Sequence, residues 1–243
     1  TSEGEILITG AHRDDFAEAT QWRDIVSIAV GEAHLVGLRR DGTVVAVGEN
    51  SSGQCNVEEW SRVKKIFAAG NYTVALTDEY GEGVYDTIYG AWGERTEGHN
   101  FIDASAAVDH IALLDDNGRA YVCVISGEAS RDNASGKLSE LDWSGIVSVV
   151  AAKGATYGVD GRHMLLCSRG AIEPEEVQSG VYGVAAAEHH LAVLYIDGTV
   201  KGFGSNDDMQ CAVDNWRLLP YVTEDGYVLG YSEGDMLAGE LYR

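Results

Sequence analysis

Hydrophobic residues along this chain fall in runs of five to seven, such as "TVVAVG" from Thr43 and "IVSVVAA" from Ile146, separated by polar, glycine-containing stretches. Glycine recurs every few residues and the apolar positions do not follow helical spacing, so the pattern predicts short strands for most of the chain. The runs also repeat. "IAVGEAHLVGL" from Ile28 returns 38 residues later as "IFAAGNYTVAL" from Ile66 and after 38 more as "ASAAVDHIALL" from Ala104. A looser copy, "VVAAKGATYGV", starts at Val149, and a close one, "VAAAEHHLAVL", at Val184. One position of this repeat holds His34, Tyr72, His110, Ala155 and His190.

Each copy runs toward a turn signal: Asp41-Gly42, Asn117-Gly118, Asp160-Gly161, Asp197-Gly198, and the looser "DEYGEG" from Asp78. Asp-Gly and Asn-Gly tolerate positive φ and predict tight type I′ hairpins between antiparallel strands. A unit of about 40 residues holding several strands is the signature of a propeller blade. Trp22, Trp60, Trp143 and Trp216 stand at unit ends as packing anchors. Five whole units are expected at 23–60, 61–100, 101–143, 144–179 and 180–216, with partial units at 1–22 and 217–243. The expectation is one all-β domain, a β-propeller of four-stranded antiparallel blades, with six blades favoured and seven as the alternative.

The residues of these units resemble a known family. Gly-x-x-His before a Leu, then Asp-Gly-x-Val, then Gly-x-Asn-x-x-Gly-Gln, is similar to the regulator of chromosome condensation repeat. "GEAHLVGLRRDGTVVAVGENSSGQCNVEEW" from Gly31 carries it over a full unit and "EHHLAVLYIDGTVKGFGSNDDMQCAVDNW" from Glu188 nearly so. The Gln-Cys-x-Val ending before Trp looks like bacterial members. The resemblance implies a propeller and a partner-binding face at the loops carrying Gly-x-x-His. Family members include a nucleotide exchange factor for a small GTPase, a protein inhibitor of β-lactamases and plant light sensors. The fold alone selects none of these.

Charge narrows the partners. Lys and Arg number 17 against 39 Asp and Glu, a formal charge of −22. Such a surface repels nucleic-acid phosphates and anionic membranes and attracts basic proteins. The longest apolar runs are far short of the ~20 residues of a spanning helix, so a soluble, cytoplasmic protein is expected, with secretion or a cell-surface place left open. The four cysteines show no Cys-x-x-Cys pair, and reduced thiols without metal are expected. No nucleophile elbow, His-Glu-x-x-His pair or phosphate loop occurs, and no cofactor is expected.

The leading expectation is a non-enzymatic scaffold that binds a protein partner through one face. A carbohydrate-binding propeller is the alternative, and an enzyme with a site assembled from several blades comes third. Candidate partner contacts are Glu32, His34, Asn71, Tyr72, Asp109, His110, Tyr157, Glu188, His189 and His190, because a shared repeat position with varied neighbours presents a specific surface. A repeat position also records the repeat's own needs, so these histidines could equally bond backbone groups where strands converge.

Overall fold

The computed structural model describes residues 4–9, 13–77, 84–86, 90–91, 99–124, 138–168, 179–187, 189–207, 209–213, 215–223 and 226–230. The chain divides into two compact units, Thr1–Leu141 and Asp142–Arg243. The first includes a 3-10 helical segment, Arg13–Gln21, kinked at Phe16. Its first sheet contains β1 (Ile25–Val30), β2 (His34–Arg39) and β3 (Val44–Gly48). The second contains β4 (Val63–Ala69), β5 (Tyr72–Thr77), β6 (Val84–Asp86) and β7 (Gly90–Ala91), and the third β8 (Phe101–Ala106), β9 (His110–Asp115), β10 (Ala120–Val124) and β11 (Leu138–Glu140).

The second unit holds β12 (Ile146–Ala152), β13 (Ala155–Asp160) and β14 (Leu165–Cys167), then β15 (Val181–Ala186), β16 (His190–Tyr195) and β17 (Val200–Gly204), and finally the pair β18 (Leu219–Thr223) and β19 (Gly226–Gly230). Every sheet is an antiparallel meander in which strands consecutive in sequence are hydrogen-bonded neighbours. Among the described residues the sheets have three, four, four, three, three and two strands.

The repeat seen in sequence is the repeat of the sheets. The second strand of each of the five larger sheets opens on His34, Tyr72, His110, Ala155 and His190. The first strand of each carries a register shift at one equivalent place: Ile25/Ser27, Val63/Lys65, Phe101/Asp103, Ile146/Ser148 and Val181/Gly183. A bulge repeated this faithfully is part of the design, bending each first strand alike.

Burial explains why the second strands are nearly unbroken apolar runs: β5, β9 and β13 are buried at all six positions. A strand covered on both faces has no polar side to alternate with. Small residues on these strands make room for the tryptophans. A Cβ on Gly37 would lie 2.9 Å from Trp22 Cε3, and one on Gly158 would lie 2.9 Å from Trp143 Cζ3. Trp60 shares a core cluster with Ala75 at the corresponding place. Trp22 and Trp60 are buried as expected for anchors, Trp143 is half-buried, and Trp216 is exposed.

The hairpins differ from the expected type I′ form. Arg39 donates its N–H to the Thr43 carbonyl at 2.9 Å, and Gly42 donates to the Arg39 carbonyl at 3.0 Å, which leaves three residues in the loop. The positive φ falls on the third of them, Gly42 at +83°, and not on Asp41. This is a type I turn closed by one left-handed residue. The pattern recurs with Gly118 (+73°), His163 (+63°) and Gly198 (+80°). In the fourth sheet the left-handed residue is therefore His163, and Gly161 of the Asp160-Gly161 pair is not the turn glycine. The "DEYGEG" stretch lies outside the described residues.

Each turn is stapled by a carboxylate placed in one of two ways. Asp41 Oδ1 accepts the N–H and hydroxyl of Thr43 at 3.0 and 2.7 Å, and Asp197 Oδ1 does the same for Thr199 at 2.9 and 2.7 Å. In the third and fourth sheets the carboxylate comes from the turn's first residue. Asp115 Oδ1 accepts from Asn117 and Arg119 N–H at 3.0 and 2.8 Å, and Asp160 Oδ1 from Arg162 and Met164 N–H at 2.9 Å each. Asp115 Oδ2 also accepts from the Tyr121 hydroxyl at 3.1 Å. Burial, reinforced by that bond, pushes Tyr121 up to about 12.

Candidate partner-binding loops

The loops joining first and second strands are 31–33, 70–71 and 107–109 in the first unit and 153–154 and 187–189 in the second. Three share one closing bond. Gly31, Ala107 and Ala187 donate their N–H to the carbonyls of His34, His110 and His190, each at 2.9 Å. In the first loop glycine has a steric cause: a Cβ on Gly31 would lie 2.1 Å from His34 Cε1, so glycine lets this imidazole fold back over the turn.

His34 is fully buried and joins the first sheet to the second. Its Nε2 lies 3.0 Å from Thr73 Oγ1, and that hydroxyl donates its one proton to the Gln54 carbonyl at 2.8 Å. Nε2 must therefore carry the imidazole hydrogen and donate to Thr73. Nδ1 is buried without a hydrogen-bond partner. Burial lowers the His34 pKa from its ordinary value, outweighing the Tyr72 backbone and the Glu49 carboxylate, which both raise it. Beside this contact Glu32 donates its N–H to the Gly70 carbonyl at 3.0 Å.

The polar segment after β3 is held by its own side chains. Gln54, fully buried, accepts the Ser52 N–H at 2.9 Å and donates to the Glu49 carboxylate. Asn50 Oδ1 accepts the Cys55 N–H at 2.8 Å, and the Cys55 thiol points at the Glu49 carbonyl at 3.4 Å. The copy 156 residues later repeats the core of this scheme. Asn206 Oδ1 accepts the Cys211 N–H at 2.8 Å and the Cys211 thiol lies 3.2 Å from the Ser205 carbonyl. The shared Asn, Gln and Cys thus record loop construction.

Tyr72 does for the second and third sheets what His34 does for the first and second. Its buried hydroxyl donates to the Ala107 carbonyl and lies 3.2 Å from that of His110. His110, also buried, is held through Nδ1 by the Asp109 carboxylate at 2.8 Å. Tyr157 is buried in the core of the second unit, and burial raises its pKa. His190 is half-buried, His189 is exposed, and Glu188 lies outside the described residues.

The candidate residues separate into two groups. His34, Tyr72, His110 and Tyr157 point inward, whereas Glu32, Asn71 and His189 are exposed and Asp109 keeps 31% of its side chain exposed. In the first unit the three loops touch one another, since Glu32 bonds Gly70 and a Cβ on Gly70 would lie 3.6 Å from Val108 Cγ1. Their shared surface adds Val108, 47% exposed, a residue sequence reasoning passed over. Its signal was present: an apolar residue stands there where the two preceding loops place Glu32 and Gly70. Among the described residues no three His, Cys, Asp or Glu side chains converge as metal ligands.

Comparison with known proteins gives the class. Human WBSCR16 superposes with a TM-score of 0.60 at 16% identity, covering 82% of this chain and 69% of that one. Prp20p from Saccharomyces cerevisiae, described with its binding properties to Gsp1p and histones, gives 0.59 at 17%, covering 92% and 67%. Yeast RCC1 (Prp20) bound to Kap60 gives 0.59 at 17%, covering 90% and 64%. The fold is that of RCC1-like propeller proteins, of whose length this chain spans about two thirds. Residues 25–54 match the family model of the regulator of chromosome condensation (RCC1) repeat, so the chain carries a repeat of that family. No curated protein matches, and no helix among the described residues is long and apolar enough to cross a membrane.

Proposed function

We propose that this chain is a non-enzymatic protein-interaction scaffold whose first unit contacts a basic protein partner through Glu32, Asn71, Val108 and Asp109. One observation carries the reading. The repeat position is spent on buried groups that tie neighbouring sheets, His34 to Thr73 and Tyr72 to Ala107, while the residues beside it reach solvent and differ from loop to loop. A constant frame with a variable surface suits recognition of one partner. His189 stands on the equivalent loop of its own sheet in the second unit.

The net charge of −22 favours a partner with basic groups, and electrostatics of this kind act mainly on the rate of encounter. That yeast Prp20p is described with binding to histones is compatible with an acidic scaffold of this fold meeting basic proteins. Affinity purification from the native host followed by mass spectrometry identifies the partner, and surface plasmon resonance then tests the contact. Charge reversal of Glu32 and Asp109 together slows association and flattens its salt dependence, and Val108→Ser with Asn71→Ala speeds dissociation. Unchanged rates in both variants would move the contact away from these loops.

A further inference from the structure

We infer that the hairpin end of the β15-β16-β17 sheet holds a second binding site, one that takes a small monocarboxylate between Lys201 and Arg217. A cavity of about 490 Å³ opens there, lined by Tyr195, Asp197, Thr199, Val200, Lys201 and Arg217. Its volume lies in the range of small-molecule sites, roughly 300 to 1,000 Å³. Tyr195 ends the strand that His190 begins, so the cavity lies at the opposite end of this sheet from its Gly-x-x-His-type loop.

The repeat supplies its own control. The segment around β17 matches the one around β3, 156 residues earlier, with the Asp-Thr turn staple and the following Asn-Cys bond preserved. Against that constant frame, three cavity positions change chemistry: Arg39 becomes Tyr195, Val45 becomes Lys201, and Ser61 becomes Arg217. Val45 packs against the core cluster of Trp22, Ile25 and Leu35. Its counterpart Lys201 instead presents an exposed ammonium, 5.6 Å from the centroid of the Tyr195 ring.

Charge selects the ligand. Asp197 Oδ1 already accepts both donors of Thr199, and Arg217 lies close enough to act on the same carboxylate. Two cations against one carboxylate leave one positive charge, which a monoanion neutralises. A dianionic phosphate would carry surplus charge into a protein of net −22. The guanidinium of Arg217 can take a carboxylate with two parallel bonds, and the half-buried Tyr195 lines the cavity beside it.

The test is a two-dimensional NMR titration of the intact protein with benzoate, benzyl alcohol and phenyl phosphate. Benzoate should shift the amides of Tyr195, Lys201 and Arg217 saturably at millimolar concentration. Benzyl alcohol should leave them in place, and phenyl phosphate should bind more weakly than benzoate. Lys201→Met and Arg217→Gln, both at exposed positions, should each weaken benzoate about tenfold, with resonances of the first unit unmoved. No saturable shift, equal binding in both variants, or tighter binding of phenyl phosphate would each overturn the assignment.

Discussion

Met209 holds φ at +64° where Gly53, 156 residues earlier in the equivalent loop, holds +81°. Both residues donate to the carbonyl of the conserved-position asparagine, Gly53 to Asn50 and Met209 to Asn206, each at 3.1 Å. The second copy therefore keeps the loop while placing a side chain in a backbone region that disfavours one.

Met209→Gly should relieve this strain. The left-handed conformation costs a residue with a Cβ roughly 1–2 kcal/mol, partly offset by the greater unfolded-state freedom of glycine. Because Met209 is 73% exposed, little packing is lost. A gain of about 0.5–1 kcal/mol in urea unfolding is expected, and Gly53→Ala should lose about 1 kcal/mol.

His34 makes stability depend on pH. Its pKa in the folded protein is lowered by burial, while in the unfolded chain it is about 6.5. Between those values the unfolded chain holds more protons, so stability rises with pH through that window and falls as the pH drops below about 6.5. Urea titrations across this range should show the slope, and His34→Gln should remove its share of it.

Thr73→Val should cost about 2 kcal/mol or more, because it strands both the His34 Nε2–H and the Gln54 carbonyl in a buried place. Thermal unfolding measures this loss. Thr73→Ser, which keeps the hydroxyl, should recover most of it.

Gly31→Ala should destabilise by about 1–3 kcal/mol through the clash with the His34 imidazole. Combined with His34→Ala, which removes the obstructing ring, the two losses should fall short of additive by about 1 kcal/mol. Strict additivity would detach the glycine from the histidine and leave its requirement to the nearby Gly70 carbonyl.

The turn carboxylates give an acid limb. Thr43 and Thr199 bonds hold Asp41 and Asp197 below the ordinary carboxylate value, and at Asp160 the Met164 and Arg162 bonds overcome the opposing effect of burial. Stability from these groups is present above about pH 3.9 and is lost as pH falls through their lower folded values. Asp160→Ala should cost about 1–2 kcal/mol at neutral pH and shrink that acid limb.

Much of the frame was legible along the chain. The repeat placed the openings of β2, β5, β9, β13 and β16 on His34, Tyr72, His110, Ala155 and His190, because strand period and glycine turns are written in residues close together in sequence. The pairing of Trp22 with Gly37 and of Trp143 with Gly158 follows one spacing in both copies, though only contact shows why the strand residue is small.

Other features belong to tertiary structure alone. Asp160-Gly161 reads as a turn pair, yet the left-handed residue is His163, since hydrogen-bond register and not dipeptide identity chooses it. Tyr72 and Tyr157 read as candidate partner contacts, but their neighbours in space bury them. Periodicity could show that position 34 matters. That its imidazole donates to Thr73 and thence to Gln54 depends on a sheet 39 residues away, a distance in sequence that only folding turns into a 3.0 Å contact.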